Sequence, residues 1–186
     1  MNINFSGKSN LFKRYFIISS YIMNTVYISV GTNIGNKVSN CRLAIKKIIS
    51  ISNSCKISSF YKTSSWGYED DFFINFVVKI TTSLTPNKLL KKLLFIENEM
   101  GRIRLNSGYS SRIIDFDILF FENKVLQKSN LVIPHPKYHL RNFVLVPLLE
   151  IAPDFVCPKF KITIKELVKQ STDKNTVEKL SIYLNL

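Results

Sequence analysis

Ile113-Ile114-Asp115-Phe116-Asp117-Ile118-Leu119-Phe120-Phe121 is the stretch on which the reading of this chain turns. It is β-branched and aromatic almost throughout, so it reads as a strand. Side chains two apart on a strand point to the same side. Asp115 and Asp117 therefore share one face, and Ile114, Phe116, Ile118 and Phe120 are expected to share the other, turned to the core. Two carboxylates spaced about 6–7 Å along a strand are costly inside an apolar run unless cations satisfy them. Such a pair can hold hard divalent cations that bridge phosphates. A lone D-x-D can equally sit on a sheet face turned to water, so its surroundings decide.

Upstream, the period changes in a definite order. Val26–Val30 reads as a strand that ends in the turn signal Gly31-Thr32-Asn33-Ile34-Gly35-Asn36. Cys41, Ala44, Ile45, Ile48 and Ile49 fall at helical spacing within 38–51. Cys55–Tyr61 and Phe73–Thr81 read as strands around the polar segment 62–71. Thr85 and Pro86 open a second helix, its apolar face built on Leu89, Leu90, Leu93, Leu94 and Ile96, and Gly101 closes it. The polar loop 102–111 leads into the aspartate strand, and Glu122-Asn123 turns into 124–126. Short helices are expected over 142–151, 163–170 and 175–184. Strand, helix, strand, strand, helix, strand is the pattern of a ferredoxin-like α+β fold: a βαββαβ antiparallel sheet with helices packed on one face, here with extra C-terminal elements.

Four of the six arginines, Arg102, Arg104, Arg112 and Arg141, flank the aspartates, as do His135 and His139. Elsewhere the chain uses mainly lysine, so this concentration points to guanidinium chemistry, whose planar fork grips phosphate. His135 stands between Pro134 and Pro136, which restrict its backbone and fix its direction. His139 has no such support and reads as surface. Glu97, alone, reads as a solvent-facing helix residue. Asn75 interrupts an apolar strand and needs a partner, either backbone or the edge of a bound ring.

With 186 residues and 46% hydrophobic content, the chain fits one domain with a sizeable core. Cys41, Cys55 and Cys157 form neither a metal pair nor a disulfide framework, which fits a reducing cytoplasm. The net charge of +13 is scattered lysine rather than a basic stripe, and reads largely as compositional drift that still attracts polyanions such as ATP. No hydrophobic run reaches transmembrane length. The periodic pattern starts at Met23, so residues 1–22 read as a poorly ordered N-terminal extension and 23–186 as the domain. A signal peptide is a poor reading, because the apolar stretch 15–18 is short and is broken by Ser19 and Ser20.

Taken in order, the segments VYISVGTNIGN, SSFYKTSSWG, FFINFVVKITTSLTP, IENEMGRIR, SRIIDFDILFF and IPHPKYHLRNFVLVPLLEIAPDFVCP make the chain resemble the 6-hydroxymethyl-7,8-dihydropterin pyrophosphokinases of folate biosynthesis, from about Val26 to Pro158. The resemblance implies a kinase-type transferase that moves pyrophosphate from ATP to the pterin and releases AMP, with two Mg²⁺ ions. It implies Asp115 and Asp117 as metal ligands, and Arg102, Arg112, Asp115 and Asp117 as the catalytic set. Glu97, Arg102, Arg112, Ile118, His135 and Arg141 would face ATP, with Arg104 in the same loop. Gly31, Thr63, Ser64, Trp66, Phe73, Asn75 and Phe143 would form the pterin pocket, and Asn33 belongs to the turn after the first strand. Aromatic faces suit a flat heterocycle, and an amide suits its polar edge. The loops 62–71 and 102–111 are expected to close over ATP and exclude water.

Ser110-Ser111, Phe116, Tyr109 and Ser64 depart from the residues usual in the family and leave its charged groups untouched. The expected partners are small molecules only, with no nucleic acid, no membrane and a monomeric state. Two alternatives stand beside this reading. One is a basic ferredoxin-like RNA-binding module, which leaves Asp115 and Asp117 unexplained because acids there repel phosphate. The other is a non-catalytic relative of the family.

Overall fold

The computed structural model describes residues 23–65, 71–103 and 111–182. The extension 1–22 and the segments that hold Trp66, Arg104, Tyr109 and Ser110 lie outside them. In chain order the elements are β1 (Asn24–Thr32), α1 (Lys37–Ile49), β2 (Ser54–Ile57), β3 (Phe60–Thr63), β4 (Phe73–Thr82), α2 (Pro86–Glu99), β5 (Asp115–Phe121), β6 (Leu126–Lys128), β7 (Leu131–Ile133), α3 (Asn142–Ile151), α4 (Ile164–Lys169) and β8 (Val177–Leu180). A short 3₁₀ turn, Tyr138–Leu140, precedes α3. The main sheet runs β5-β1-β4-β3-β8, with β2 also on β4, and its pairings are antiparallel. β6 and β7 form a separate hairpin.

Alternation along the central strands builds two cores. Val26, Ile28 and Val30 of β1 and Ile74, Phe76, Val78 and Ile80 of β4 face α1 and α2. Those two helices bury Cys41, Ala44, Ile45 and Ile48, and Leu89, Leu93 and Ile96, against them. This is the expected βαββαβ unit with its helices on one face. The opposite face is covered as well: Tyr27, Val77, Leu119 and Phe120 pack against Val144, Leu145 and Leu148 of α3 and Ile164 and Leu167 of α4.

Phe120 corrects the simple alternation expected for its strand. Tyr27 pairs with Phe120 but Ile28 pairs with Ile118, so Leu119 is an extra residue in a β-bulge. Phe116 and Ile118 face the first core, while Leu119 and Phe120 both turn to the second. The bulge lets one strand feed both cores while its N-terminal half keeps strict alternation. The Phe120 ring meets Tyr138 and Phe155 at 4.8 Å between centroids. Phe120→Ala is expected to lower unfolding free energy by about 3–5 kcal/mol, measured by urea titration.

Two further expectations change on folding. The single strand over 55–61 is split at Ser58, whose hydroxyl accepts the Val77 N–H at 2.9 Å in place of a regular ladder bond. Residues 175–184, expected to be helical, contain β8, which pairs Phe60 with Leu180 and Thr63 with Val177. An open β3 edge offered a ladder, and tertiary pairing outweighed weak local preference. His139, expected at the surface, is half-buried, with its ring edge-on to Tyr138 and Phe160.

Candidate active site

One face of the sheet passes from core to site within a few residues. Tyr27, Ser29 and Gly31 lie along it on β1, with Val77 and Asn75 as the β4 partners of Ser29 and Gly31. On the other side, Ser29 pairs with Asp117 and Gly31 with Asp115. Tyr27, Val77 and Leu119 are roofed by α3 and α4. Beyond them the roof ends, and the same face presents Ser29, Asn75, Asp117, Gly31 and Asp115 to a cavity. Asp115 and Asp117 thus project together, as their spacing predicts.

Residues of β1, β4 and β5 line that cavity from below. Thr63, Ser64, Phe73 and Phe143 complete its walls, and Arg112 and Arg141 border its charged end. Asn75 is buried, and its amide donates to Thr63 Oγ1 at 2.7 Å, which fixes the side chain's orientation. Gly31 forms the floor: a Cβ there would stand 2.6 Å from Asn75 Oδ1. The residue is needed for close approach rather than for a turn. If this cavity takes the pterin that the resemblance implies, Gly31→Ala should displace the Asn75 amide and weaken pterin binding at least ~10-fold while ATP binding is kept, measured by calorimetry with each ligand. An unchanged pterin affinity would contradict that role for the glycine.

A wider cleft adjoins it, lined by Arg102, Arg112, Asp115, Asp117, His135 and Arg141, together with Lys91, Leu94 and Asn130. Arg112, Asp115, Asp117 and Arg141 line both cavities. The aspartate pair and two guanidiniums therefore stand at the junction.

The charges are interlocked there. The Arg102 guanidinium bridges Glu97 and Asp115, and Arg112 donates to the other oxygen of Asp115. Asn33 holds Arg112 by its main chain, accepting its N–H at 2.7 Å through Oδ1 and donating to its carbonyl at 3.1 Å. Glu97, read from the sequence as solvent-facing, is buried at 2% exposure and accepts the Phe116 N–H at 2.9 Å. It ties α2 to β5 and lines neither cavity. Ile118 also lies in the core, 4% exposed, beneath the strand.

Asp117 has His135 Nε2 at 3.7 Å and an Arg141 nitrogen at 3.9 Å. Burial, and then the negative charge of Asp115, push its carboxyl up to about 6, against the pull of Arg141 and Arg112. Burial and the neighbouring Arg141 cation push His135 down to about 4, so it is neutral near pH 7. Its Nδ1 accepts the Lys137 N–H at 3.2 Å, which leaves the proton on Nε2, facing Asp117 and the cleft.

The structure brings together Gly31, Thr63, Ser64, Phe73, Asn75 and Phe143 around the first cavity, and Arg102, Arg112, His135 and Arg141 around the cleft. Trp66 and Arg104 lie outside the described residues. Sequence reasoning missed Ser29, Lys91, Leu94 and Asn130. Ser29 was findable, since it lies two residues before Gly31 on the same strand face. The others reach the cleft only through the placement of α2 and of the β6–β7 turn.

The chain was compared with known proteins. Residues 27–153 match the family model described as 7,8-dihydro-6-hydroxymethylpterin-pyrophosphokinase. A Haemophilus influenzae 2-amino-4-hydroxy-6-hydroxymethyldihydropteridine pyrophosphokinase is 44% identical over 84% of this chain and 98% of its own length. The Aquifex aeolicus protein of the same name is 38% identical over 82% of this chain and 95% of its own. Among solved structures, a Plasmodium falciparum HPPK-DHPS with pteroate superposes at TM-score 0.68 and 16% identity, covering 80% of this chain. That likeness bears on the fold alone, and this chain spans 44% of that longer one. On the family match and the identity to full-length relatives, the chain belongs to the 7,8-dihydro-6-hydroxymethylpterin-pyrophosphokinase family.

Proposed function

We propose that this chain transfers the pyrophosphoryl group of ATP to 6-hydroxymethyl-7,8-dihydropterin, yielding the pterin diphosphate and AMP in folate synthesis. The observation that carries the reading is the junction of two cavities at Asp115 and Asp117, one walled by Phe73, Phe143 and Asn75 and one broader and lined by arginine. In this arrangement the pterin lies on Gly31 among Phe73, Phe143 and Asn75, with its hydroxymethyl group toward the aspartates. The triphosphate lies along Arg102, Arg112, His135 and Arg141.

The hydroxymethyl oxygen gives up its proton, to a neighbouring carboxylate or to solvent, and forms a bond to the β-phosphorus as the bond from that phosphorus to the α,β-bridging oxygen breaks, and AMP leaves with those electrons. Such a transfer needs positioning and charge neutralisation more than covalent help. Arg112 and Arg102 offset the charge that develops on the departing oxygen. His135, neutral, donates a hydrogen bond from Nε2 to phosphate without adding a second cation beside Arg141.

The donor set suits Mg²⁺. Two carboxylates share one strand face, and the Asp117 carboxyl is raised by burial and then by the negative charge of Asp115, both of which a divalent cation would offset. Asp115 and Asp117 would hold two ions, which polarise the phosphate oxygens when bound. In the same proposal the enzyme acts as a monomer in the cytoplasm, where its three free cysteines stay reduced. None of the helices among the described residues is long and apolar enough to cross a membrane.

A coupled assay with ATP, Mg²⁺ and hydroxymethyl dihydropterin tests the reaction. AMP should form one-for-one with pterin diphosphate. Formation of ADP instead, or of AMP without pterin, overturns the reading.

A further inference from the structure

Helix α3 starts with an unusual cap. Its N-cap residue is Arg141, which makes no side-chain capping bond and whose guanidinium is turned to the site. Ser, Thr, Asp and Asn are the residues that normally accept the free N–H groups of a first turn. Here the acceptor is brought from 31 residues downstream: Asp173 Oδ2 accepts the Asn142 N–H at 2.7 Å. The Asn142 side chain is held at both ends, donating to the Asp173 carbonyl at 2.6 Å and accepting from Ser171 Oγ at 2.8 Å. Asp173 is itself fixed, since its Oδ1 accepts the Asn175 N–H at 3.0 Å and the Asn175 amide at 2.7 Å. The same segment then continues into β8, which pairs with β3 and aligns Val177 with Thr63.

Asn142 lies between two residues of the site. Arg141 borders both cavities and Phe143 lines the pterin cavity, with the Arg141 guanidinium carbon 5.5 Å from the Phe143 ring centre. The direction in which these side chains enter is set by the first turn of α3, and that turn is pinned at Asn142 from outside. The pinning residues also lie beyond residues 27–153, the part matched to the family model.

We propose that Asp173 is a positioning residue for the pyrophosphoryl transfer. It acts as a remote N-cap for α3, so that the cap position itself is left to an arginine that serves the substrates. The segment 171–180 is then a strap that holds α3 and β3, two walls of the pterin cavity, in fixed relation. The proposal rests on the assignment of Arg141 and Phe143 to ATP and pterin.

The test separates positioning from stability. Asp173→Ala is compared with Thr163→Ala, which removes the capping box of α4, where Thr163 and Glu166 bond reciprocally. Steady-state kinetics are measured well below each variant's melting midpoint. Asp173→Ala should raise the KM for the pterin about 10-fold with a smaller change in kcat, while Thr163→Ala lowers the melting midpoint and leaves KM unchanged. Asp173→Asn, which keeps one acceptor oxygen, should recover most of the affinity.

Equal melting losses with unchanged KM in both alanine variants would overturn the proposal. If Asp173→Ala does not yield folded protein, Ser171→Ala removes the hydroxyl that donates to Asn142 Oδ1 at 2.8 Å and accepts the Asp173 N–H at 3.3 Å, and leaves the Asp173 carboxylate in place. A smaller rise in pterin KM then supports the idea, and a wild-type KM rejects it. Arg141→Ala serves as the parallel arm. If it leaves both KM values unchanged, the assignment of Arg141 to the substrates fails, whatever Asp173 does.

Discussion

Asp117→Ala is expected to lower kcat by about 10³-fold or more, the equivalent of several kcal/mol of lost transition-state stabilisation. The carboxylate stands at the junction of the two cavities, where the proposed reaction would bring the attacking oxygen to the β-phosphorus. The fold should survive, because the side chain faces the cleft rather than the core. Initial rates over a Mg²⁺ titration, with circular dichroism of the variant, check both statements. Retention of most activity with unaltered Mg²⁺ dependence would remove Asp117 from the metal site.

Stability should move the other way. The Asp117 carboxyl titrates at about 6 in the folded protein against about 3.9 when unfolded. A raised carboxyl gives stability that is fully present below the unfolded value and is lost as pH rises through the folded one. The Mg²⁺-free wild type should therefore lose melting temperature between roughly pH 4 and 6 through this group, and Asp117→Asn should lack that component. Site chemistry and resting stability are opposed at this residue.

Arg112→Ala is expected to lower kcat by about 10²–10³-fold while changing pterin affinity no more than about threefold. Its guanidinium is fixed to Asp115 at the junction, where the proposed transfer would place the charge of the leaving oxygen. Its backbone is held by Asn33 through two main-chain hydrogen bonds that do not involve the side chain, so alanine leaves the entry to β5 in place. Lysine at 112 should recover only part of the rate, since it lacks the planar fork. Stopped-flow turnover together with equilibrium pterin titration distinguishes the outcomes. A loss of pterin affinity with normal turnover would move Arg112 from the transfer step to ring recognition.

Much of this site was legible before folding, because strand alternation is a local rule. Asp115 and Asp117 had to share a face, and Asn75 inside an apolar strand had to find a partner, which is Thr63. Glu97 was misread because its helix position carries no mark of burial. Only the docking of α2 on β5 puts it beneath the Phe116 amide. Phe120 was assigned to the wrong side because a bulge shifts parity without any glycine or proline to announce it. Strand β8 was misread because the signal for it lies in the unpaired edge of β3, not in residues 177–180 themselves.

By itself the sequence determined the order of the core βαββαβ elements, the shared face of the two aspartates, and the gathering of arginine around them. Those follow from side-chain period and residue chemistry, which act over a few neighbouring residues. Tertiary structure alone decided that α3 and α4 cover the second face and stop short of Gly31, that two cavities meet at Asp115 and Asp117, and that Asp173 caps a helix 31 residues away. These depend on which distant surfaces pack together, and that choice is made by the burial of whole faces rather than by any local pattern.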